Sequence, residues 1–243
     1  MNFNAKQHAT KCINWIQTWF EHHSGNAKGA VIGISGGKDS SVVAALLCKA
    51  LGEANVLGVL MPNGIQKDIS DSIKLCKLLG IRKIIVDIEL AYQEIIHAIE
   101  MKLSNHTQIN IPPRLRMTTL YAIGQELNYR VAGTSNLSER YTGYTTKWGD
   151  AACDFNPIGN FTSDEVVAIG AELGLPKNLI EKIPADGLTG KTDEENLGFS
   201  YKVLNKYIRE GICEVAEIKE KIVRLHKMTR HKQEPVQIYN PDN

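Results

Sequence analysis

The sequence predicts an α/β fold: a doubly wound, mostly parallel sheet with helices on both faces. Two observations support this prediction. Short apolar runs alternate with amphipathic segments from residue 30 to 134, and this alternation is typical of parallel strands joined by helices. The chain also has 243 residues, 43% of them hydrophobic, which is enough for one domain with a substantial core.

The pattern begins with a helix, a strand and a second helix. Residues 5–22 are predicted to be helical because apolar side chains, among them Cys12 and Ile16, recur at helical spacing. Residues 30–34 are an apolar run that ends in Ser-Gly-Gly, which indicates a buried strand. Helix formers then fill residues 41–51 until a glycine stops them.

The alternation continues through the middle of the chain. We predict strands at 55–61, 83–88 and 130–133, and helices at 67–79, 90–103, 114–127, 164–173 and 194–208. Residues 135–163 show no clear periodicity and are rich in Gly, Thr and charge. A loop of this length inside a domain is often functional. Residues 233–243 are predicted to form a loose tail.

Charge and cysteine content exclude several classes of protein. There are 28 Lys and Arg against 27 Asp and Glu, a formal net charge of +1, so no overall attraction to nucleic acid or an anionic membrane is expected. The five cysteines form no CxxC pair, which favours reduced thiols over a disulfide framework or a zinc site. With neither a signal peptide nor a long apolar span, a cytoplasmic location is expected.

The strongest local signal lies between the first predicted strand and the helix after it. We call residues 33–40 the phosphate loop; they read Gly33, Ile34, Ser35, Gly36, Gly37, Lys38, Asp39 and Ser40. Two glycines allow a sharp turn and a close approach of backbone to ligand, and the N–H groups entering the helix form an anion site. Asp39 adds negative charge, which a Mg²⁺ ion bridging it to phosphate oxygens would offset.

Two well-known nucleotide motifs are absent. Lys38 precedes Asp39 rather than Ser or Thr, so the loop is not a Walker A motif, and no Gly-x-Gly-x-x-Gly is found. The residues alone leave one structural alternative, in which Ser-Gly-Gly is a simple turn and Asp39-Ser40 a helix cap.

SGGKDS resembles the pyrophosphate loop of the N-type ATP pyrophosphatases. That superfamily has an adenine nucleotide alpha hydrolase-like fold and cleaves ATP between its α and β phosphates. It includes NAD synthetases, the GMP synthetase ATPase domain, asparagine synthetase and several tRNA-modifying enzymes. Three further segments are similar to NAD synthetases in particular: 110–117 (NIPPRLRM), 131–139 (VAGTSNLSE) and 143–157, with TKWGD and DFNP. The resemblance extends from about residue 10 to 235.

The resemblance implies a set of site residues. ATP is expected at the phosphate loop and Thr134, Mg²⁺ at Asp39 and Glu139, and catalytic roles at Asp39 and Lys147. The dinucleotide deamido-NAD is expected at a substrate-binding set, which is Arg114, Lys147, Asp154, His231 and Lys232. The resemblance also implies a homodimer.

Several of these residues have an ordinary structural alternative when taken alone. Arg114 can belong to a solvated helix face, Glu139 and Lys147 can be plain surface charges, and His231-Lys232 can complement a helix C-terminus. The chain also departs from the family at two positions that contact ATP. Ser163 stands in place of a lysine, and Ala185 in place of a Ser or Thr.

The predicted reaction has two steps. The nicotinate carboxylate of deamido-NAD attacks the α phosphate of ATP, and ammonia then displaces AMP from the acyl adenylate. We expect residues 1–243 to form a single NAD synthetase-like domain without a glutamine amidase domain, so ammonia comes from solution or from another protein. Two alternatives are a related enzyme acting on a tRNA base or a purine, and a catalytically impaired nucleotide-binding relative.

Overall fold

A sheet of four parallel strands lies at the centre of the fold. The computed structural model describes residues 3–66, 69–182 and 192–241. The strands are β1 (Gly29–Gly33), β2 (Val56–Leu60), β3 (Arg82–Ile85) and β4 (Tyr129–Val131), in the spatial order β3-β2-β1-β4. Because β1 lies between β2 and β4, the chain runs outward in one direction through β2 and β3 and then returns to the other side of β1.

Helices connect and cover the strands. They are α1 (Ala5–His23), α2 (Lys38–Leu51), α3 (Ile69–Leu79), α4 (Glu89–Ala98), α5 (Asn105–Ile109), α6 (Ile111–Leu127), α7 (Leu137–Thr142), α8 (Ser163–Glu172), α9 (Lys177–Ile180), α10 (Asp193–Leu197), α11 (Tyr201–Glu210) and α12 (Ala216–Thr229). Short 3₁₀ turns cover Glu53–Asn55 and Arg230–Lys232.

The two faces of the sheet carry separate apolar clusters. Ala30 and Ile32 of β1 point into a cluster with α1, α2, α3 and α8. Val31, one residue between them, points the other way and packs with Leu120 of α6. This alternation follows from the two-residue period of a strand, and it confirms the prediction of a doubly wound sheet with helices on both faces.

A third, smaller cluster lies away from the sheet. Leu197, Phe199, Leu204 and Ile222 form its buried centre, so α10, α11 and α12 pack on one another. Tyr141 of α7 packs against it. This cluster therefore ties the C-terminal helices to the segment that follows β4.

The predicted strands and longer helices are present, but several predictions need correction: α4 ends at Ala98 rather than at 103, β3 ends at Ile85 rather than at 88, and the short helices α5 and α9 were not predicted. The helix predicted at 41–51 begins earlier, at Lys38, because a backbone turn through the glycines suffices to start it. The segment 194–208 is two helices, because Gly198 adopts φ +76° between them. Helix α12 was not predicted.

The largest correction concerns the predicted loop 135–163, which contains helix α7. Six residues are too few to show helical periodicity. A capping box starts this helix, in which the Asn136 side chain and Glu139 satisfy each other's backbone N–H groups.

Among the described residues, no helix has the length and apolarity needed to cross a bilayer.

Candidate active site

The reversal of strand order places two loops side by side. In open α/β sheets, ligands bind beyond the carboxyl ends of the strands where the order reverses. Here the reversal lies between β1 and β4. The phosphate loop follows β1 and residues 132–136 follow β4, so two segments nearly 100 residues apart in sequence meet at one crevice.

The phosphate loop has the geometry of an anion cradle. Gly36 adopts φ +80°, which a residue with a side chain rarely does. Ser35 Oγ accepts from the Gly37 N–H at 3.2 Å and lies 3.1 Å from Ser40 Oγ. Gly37 caps α2 without a side chain, so the first N–H groups of the helix are available to a ligand.

A single asparagine holds the two predicted metal ligands together. Asn136 is fully buried. Its side-chain amide donates to Asp39 Oδ1 at 3.1 Å, and its backbone N–H donates to Glu139 Oε2 at 3.0 Å. The structure thus joins the phosphate loop to the start of α7, and we call Asp39 and Glu139 the acidic pair.

The acidic pair concentrates negative charge, which the Lys38 ammonium offsets in part. Burial, and next the nearby charge of Asp39, raise the pKa of Glu139 well above its ordinary value, while the Lys38 ammonium opposes that rise. Asp39 pairs with that ammonium, Oδ2 to Nζ, at 2.7 Å.

The chemistry of this pair fits Mg²⁺. The ion takes one or two carboxylates and completes its shell with water and phosphate oxygens. Within residues 3–66, 69–182 and 192–241 no group of three or more His, Cys, Asp or Glu side chains is placed to hold a metal. A metal site here would therefore depend on phosphate oxygens from a nucleotide.

Two cationic side chains of the predicted substrate site contact the backbone of the 143–150 segment, and the ammonium of Lys147 in that segment lies 5.5 Å from the centre of the Trp148 ring. Arg114 Nε donates to the Lys147 carbonyl at 3.2 Å. Lys232 Nζ donates to the Gly143 and Thr145 carbonyls, both at 2.7 Å. Burial lowers the pKa of Lys232, and Arg114 is close enough to lower it further. The C-terminal 3₁₀ turn is therefore fixed over this segment.

The remaining predicted residues are more dispersed. Asp154 accepts from the Val131 N–H at 2.7 Å and lines a shallow depression of about 300 Å³ with Tyr121 and Arg130. Thr134 is half-buried just after β4, and His231 is exposed. The structure thus brings the phosphate loop and the acidic pair together, and Arg114, Lys147 and Lys232 together, but gives Asp154 other partners.

The two departures from the family pattern have different outcomes. Ser163 is buried at the start of α8, where its backbone N–H donates to Ser138 Oγ at 3.0 Å. Ser138 Oγ also donates to Asn205 at 2.6 Å. Ser163 is therefore part of the network behind the acidic pair. Ala185 lies outside the described residues.

Sequence reasoning missed several polar residues of the crevice. Asp193 is buried and accepts from the Tyr201 hydroxyl at 3.1 Å, and burial raises the pKa of Asp150. Asp150 ends the TKWGD string but was given no role, and nothing in the local sequence marks Asp193. Asn136 could have been found, because Asn followed three residues later by Glu matches the capping-box pattern.

Comparisons with known proteins give a consistent result. The family model for NAD synthase matches residues 9–240. An NH3-dependent NAD(+) synthetase of Thermococcus sibiricus is 41% identical over 216 residues, which cover 88% of this chain and 84% of the relative. Another from Carboxydothermus hydrogenoformans is 38% identical over 238 residues, 96% of each chain. The solved structure of an NMN synthetase from Francisella tularensis superposes with a TM-score of 0.91 at 33% identity, covering 98% of this chain and 100% of that one.

The raised pKa of Glu139 predicts that ionisation of this carboxyl lowers the stability of the ligand-free protein. A carboxyl whose pKa is raised on folding stabilises the fold below its unfolded pKa, near 4.5, and that stabilisation is lost as pH rises through the folded pKa. We expect Glu139→Gln to raise the unfolding temperature of the ligand-free protein increasingly between pH 5 and 8, by about 2–4 °C for each kcal/mol recovered.

Thermal unfolding followed by circular dichroism across this pH range measures the effect. Glu195→Gln is the matched control, because Glu195 occupies the same capping position in α10 and is exposed. Removing that charge should lower stability slightly, since a helix N-terminus favours an anion. A Glu139→Gln variant less stable than wild type at pH 8 would contradict the prediction.

Proposed function

This chain belongs to the NAD synthase family, and we propose that it is an ammonia-dependent NAD synthetase acting on deamido-NAD and ATP. The observation that carries the proposal is the junction of the phosphate loop with the acidic pair through Asn136. It provides an anion cradle and a paired carboxylate site at one crevice. The same family match favours this activity over modification of a tRNA base or a purine.

The first step is formation of an acyl adenylate. The N–H groups at the start of α2, with Ser35 and Ser40, hold the β and γ phosphates of ATP. A carboxylate oxygen of the nicotinate attacks the α phosphorus, and the bond from that phosphorus to the α–β bridging oxygen breaks. Pyrophosphate leaves with that electron pair, and the phosphate loop binds it. Catalysis here is positioning and charge stabilisation.

The second step is amide formation. Ammonia attacks the acyl carbon, the bond from that carbon to the AMP oxygen breaks, and one proton of the ammonia nitrogen is lost to solvent. Arg114, Lys147 and Lys232 hold the phosphates of the acceptor, for which guanidinium and ammonium groups are suited. Lys147 also acts on the acyl group that reacts with ammonia. Its positive charge there stabilises the negative charge that develops on the carbonyl oxygen.

The acidic pair is the proposed Mg²⁺ site. Asp39 and Glu139 would hold the ion, which when bound neutralises phosphate charge during attack at the α phosphorus. Within the protein, Asn136 keeps both carboxylates oriented toward the crevice, and Lys38 neutralises Asp39.

Three further features are part of the proposal. The chain acts as one domain that takes ammonia rather than glutamine, it works as a homodimer, and it resides in the cytoplasm. Its five cysteines are free thiols, which suits a reducing compartment. Exposed apolar side chains on α4, on the segment after it and on α6 favour self-association: Leu90, Ile99, Met101 and Tyr121.

A second candidate acceptor is nicotinate mononucleotide. The observation that favours it is the superposition with the Francisella tularensis NMN synthetase, TM-score 0.91. NMN and NAD carry the same nicotinamide, so both products require the same adenylation and amidation of a nicotinate carboxylate. The two acceptors differ only in the adenylate half, which leaves the roles proposed for the phosphate loop and the acidic pair unchanged.

We expect the purified protein, given ATP, Mg²⁺, ammonium and deamido-NAD, to form NAD and AMP in equal amounts. Parallel reactions with nicotinate mononucleotide or tRNA in place of deamido-NAD, and with glutamine in place of ammonium, are resolved by chromatography. A higher kcat/KM with the mononucleotide would transfer the proposal to NMN synthesis. AMP formed only with tRNA, or nucleotide binding without any product, would reject both.

We expect Asp39→Asn to lower the rate of pyrophosphate release by about 100-fold or more, because a neutral amide is a poor Mg²⁺ ligand. The amide oxygen still accepts from Asn136, so the fold is retained. A coupled pyrophosphate assay measures the loss. Glu217→Gln is the control, since Glu217 is an exposed acid in the first turn of α12. Near-normal turnover in Asp39→Asn would rule out its metal role.

The proposed homodimer predicts a mass near 54 kDa in solution, twice the 26.9 kDa of one chain. Size-exclusion chromatography with light scattering measures it directly. A mass that stays at that of one chain across the micromolar range would contradict the dimer and leave the proposed reaction intact.

A further inference from the structure

Lys38 is a buried cation inside the candidate active site. It is the first residue of α2, and its side chain is only 5% exposed. Lysine is almost never buried to this extent unless it is paired. Its ammonium lies 2.7 Å from Asp39 Oδ2, within the loop that is expected to bind phosphate.

The surroundings of Lys38 are acidic. Its ammonium is attracted by Glu139 and Asp193 as well as by Asp39, and it lies 5.9 Å from the centre of the Tyr201 ring. Burial disfavours the ammonium, yet these three carboxylates hold the pKa of Lys38 above its ordinary value. Lys38 therefore gives the site a positive charge that belongs to the protein and does not depend on a bound substrate or metal.

Lys38 also controls access to Asp39. One carboxylate oxygen of Asp39, Oδ1, accepts from Asn136, and the other, Oδ2, accepts from Lys38. Both oxygens are thus engaged within the protein. A metal ion that bound Asp39 through Oδ2 would replace the ammonium, and the ammonium would then need another anion.

The proposed function places a second anionic partner near Lys38, the β and γ phosphates of ATP. Lys38 begins the helix whose N-terminus is expected to hold the β and γ phosphates. Lysine is a compact charge on a flexible four-carbon stem, so its ammonium can exchange one anionic partner for another without backbone movement.

We propose that Lys38 is a tethered cation that holds Asp39 in the nucleotide-free enzyme and turns to the β and γ phosphates of ATP, releasing Asp39 to Mg²⁺. The proposal rests on the proposed function in placing ATP at the phosphate loop and Mg²⁺ at Asp39. It has two consequences: the nucleotide-free enzyme binds divalent metal weakly, and the Lys38 ammonium contributes to affinity for ATP but not for AMP.

The test uses the full chain and two binding measurements that need no turnover. Binding of Mn²⁺ to nucleotide-free protein is followed by electron paramagnetic resonance, and binding of ATP and AMP in EDTA by calorimetry. We expect Lys38→Met to bind Mn²⁺ about tenfold more tightly than wild type. We expect it to bind ATP about tenfold more weakly, the worth of one charge-assisted hydrogen bond, with AMP affinity unchanged.

Matched variants separate this role from a purely structural one. Lys49→Met removes the same charge from an exposed position in the last turn of the same helix, and should behave as wild type. Lys38→Arg keeps the charge and should retain weak Mn²⁺ binding. Lys38→Gln replaces Lys38→Met if the latter fails to fold, as judged by circular dichroism.

Each outcome decides one part of the proposal. Unchanged Mn²⁺ affinity in the uncharged variants overturns the hold on Asp39, and an unchanged ratio of ATP to AMP affinity overturns the contact with phosphate. Both measurements stand apart from NAD formation. If wild type shows the expected binding but makes no amide product, only the proposed reaction fails.

Discussion

The site depends on two like charges that are held close together by one buried amide. Asp39 and Glu139 belong to the segments after β1 and β4, and Asn136 donates to both. Two carboxylates in low-dielectric surroundings repel each other, and burial together with the nearby charge of Asp39 raises the pKa of Glu139. The fold tolerates this repulsion because the backbone and side chain of one asparagine satisfy both groups, and because Lys38 supplies a counter-charge.

Topology makes that arrangement possible. The strand order β3-β2-β1-β4 puts the carboxyl ends of β1 and β4 next to each other, and the separate clusters on the two faces fix both strands. The third cluster, centred on Leu204 and Ile222, positions the C-terminal helices. It packs α11 and α12 against α7, which brings Tyr201 and Asp193 near Lys38 and the turn with Lys232 onto the 143–145 backbone.

The C-terminal turn is fixed to the loop it covers. Arg140 of α7 donates to Gln233 at 3.0 Å, and Lys232 donates to the Gly143 and Thr145 carbonyls. Gly143 adopts φ +65°, and a Cβ there would lie 2.1 Å from Thr229, so close packing requires glycine. A segment at the end of the chain therefore helps to shape the cationic side of the site.

The distribution of positive charge in this chain differs from the pattern that the family resemblance implies. Ser163 stands where a lysine is expected, and its backbone N–H is engaged with Ser138. A buried ammonium is found instead at Lys38, on helix α2, which packs against α8 through Val42 and Gly170. The phosphate loop itself thus contributes a buried positive charge to the crevice.

The sequence by itself determined the fold class, the order of the four strands and the phosphate loop, because these depend on local periodicity and on glycines that turn the backbone. It also identified the family, since TKWGD and DFNP are specific strings. Only the tertiary structure decided that Asn136 joins the acidic pair, that Asp193 and Tyr201 face Lys38, and that Asp154 binds the β4 backbone. Most of those contacts join residues far apart in sequence. The pKa of each charged side chain and its partners depend on how deeply it is buried, and residue type alone does not reveal this. No local pattern encodes such distances, so they emerge only when the helices pack.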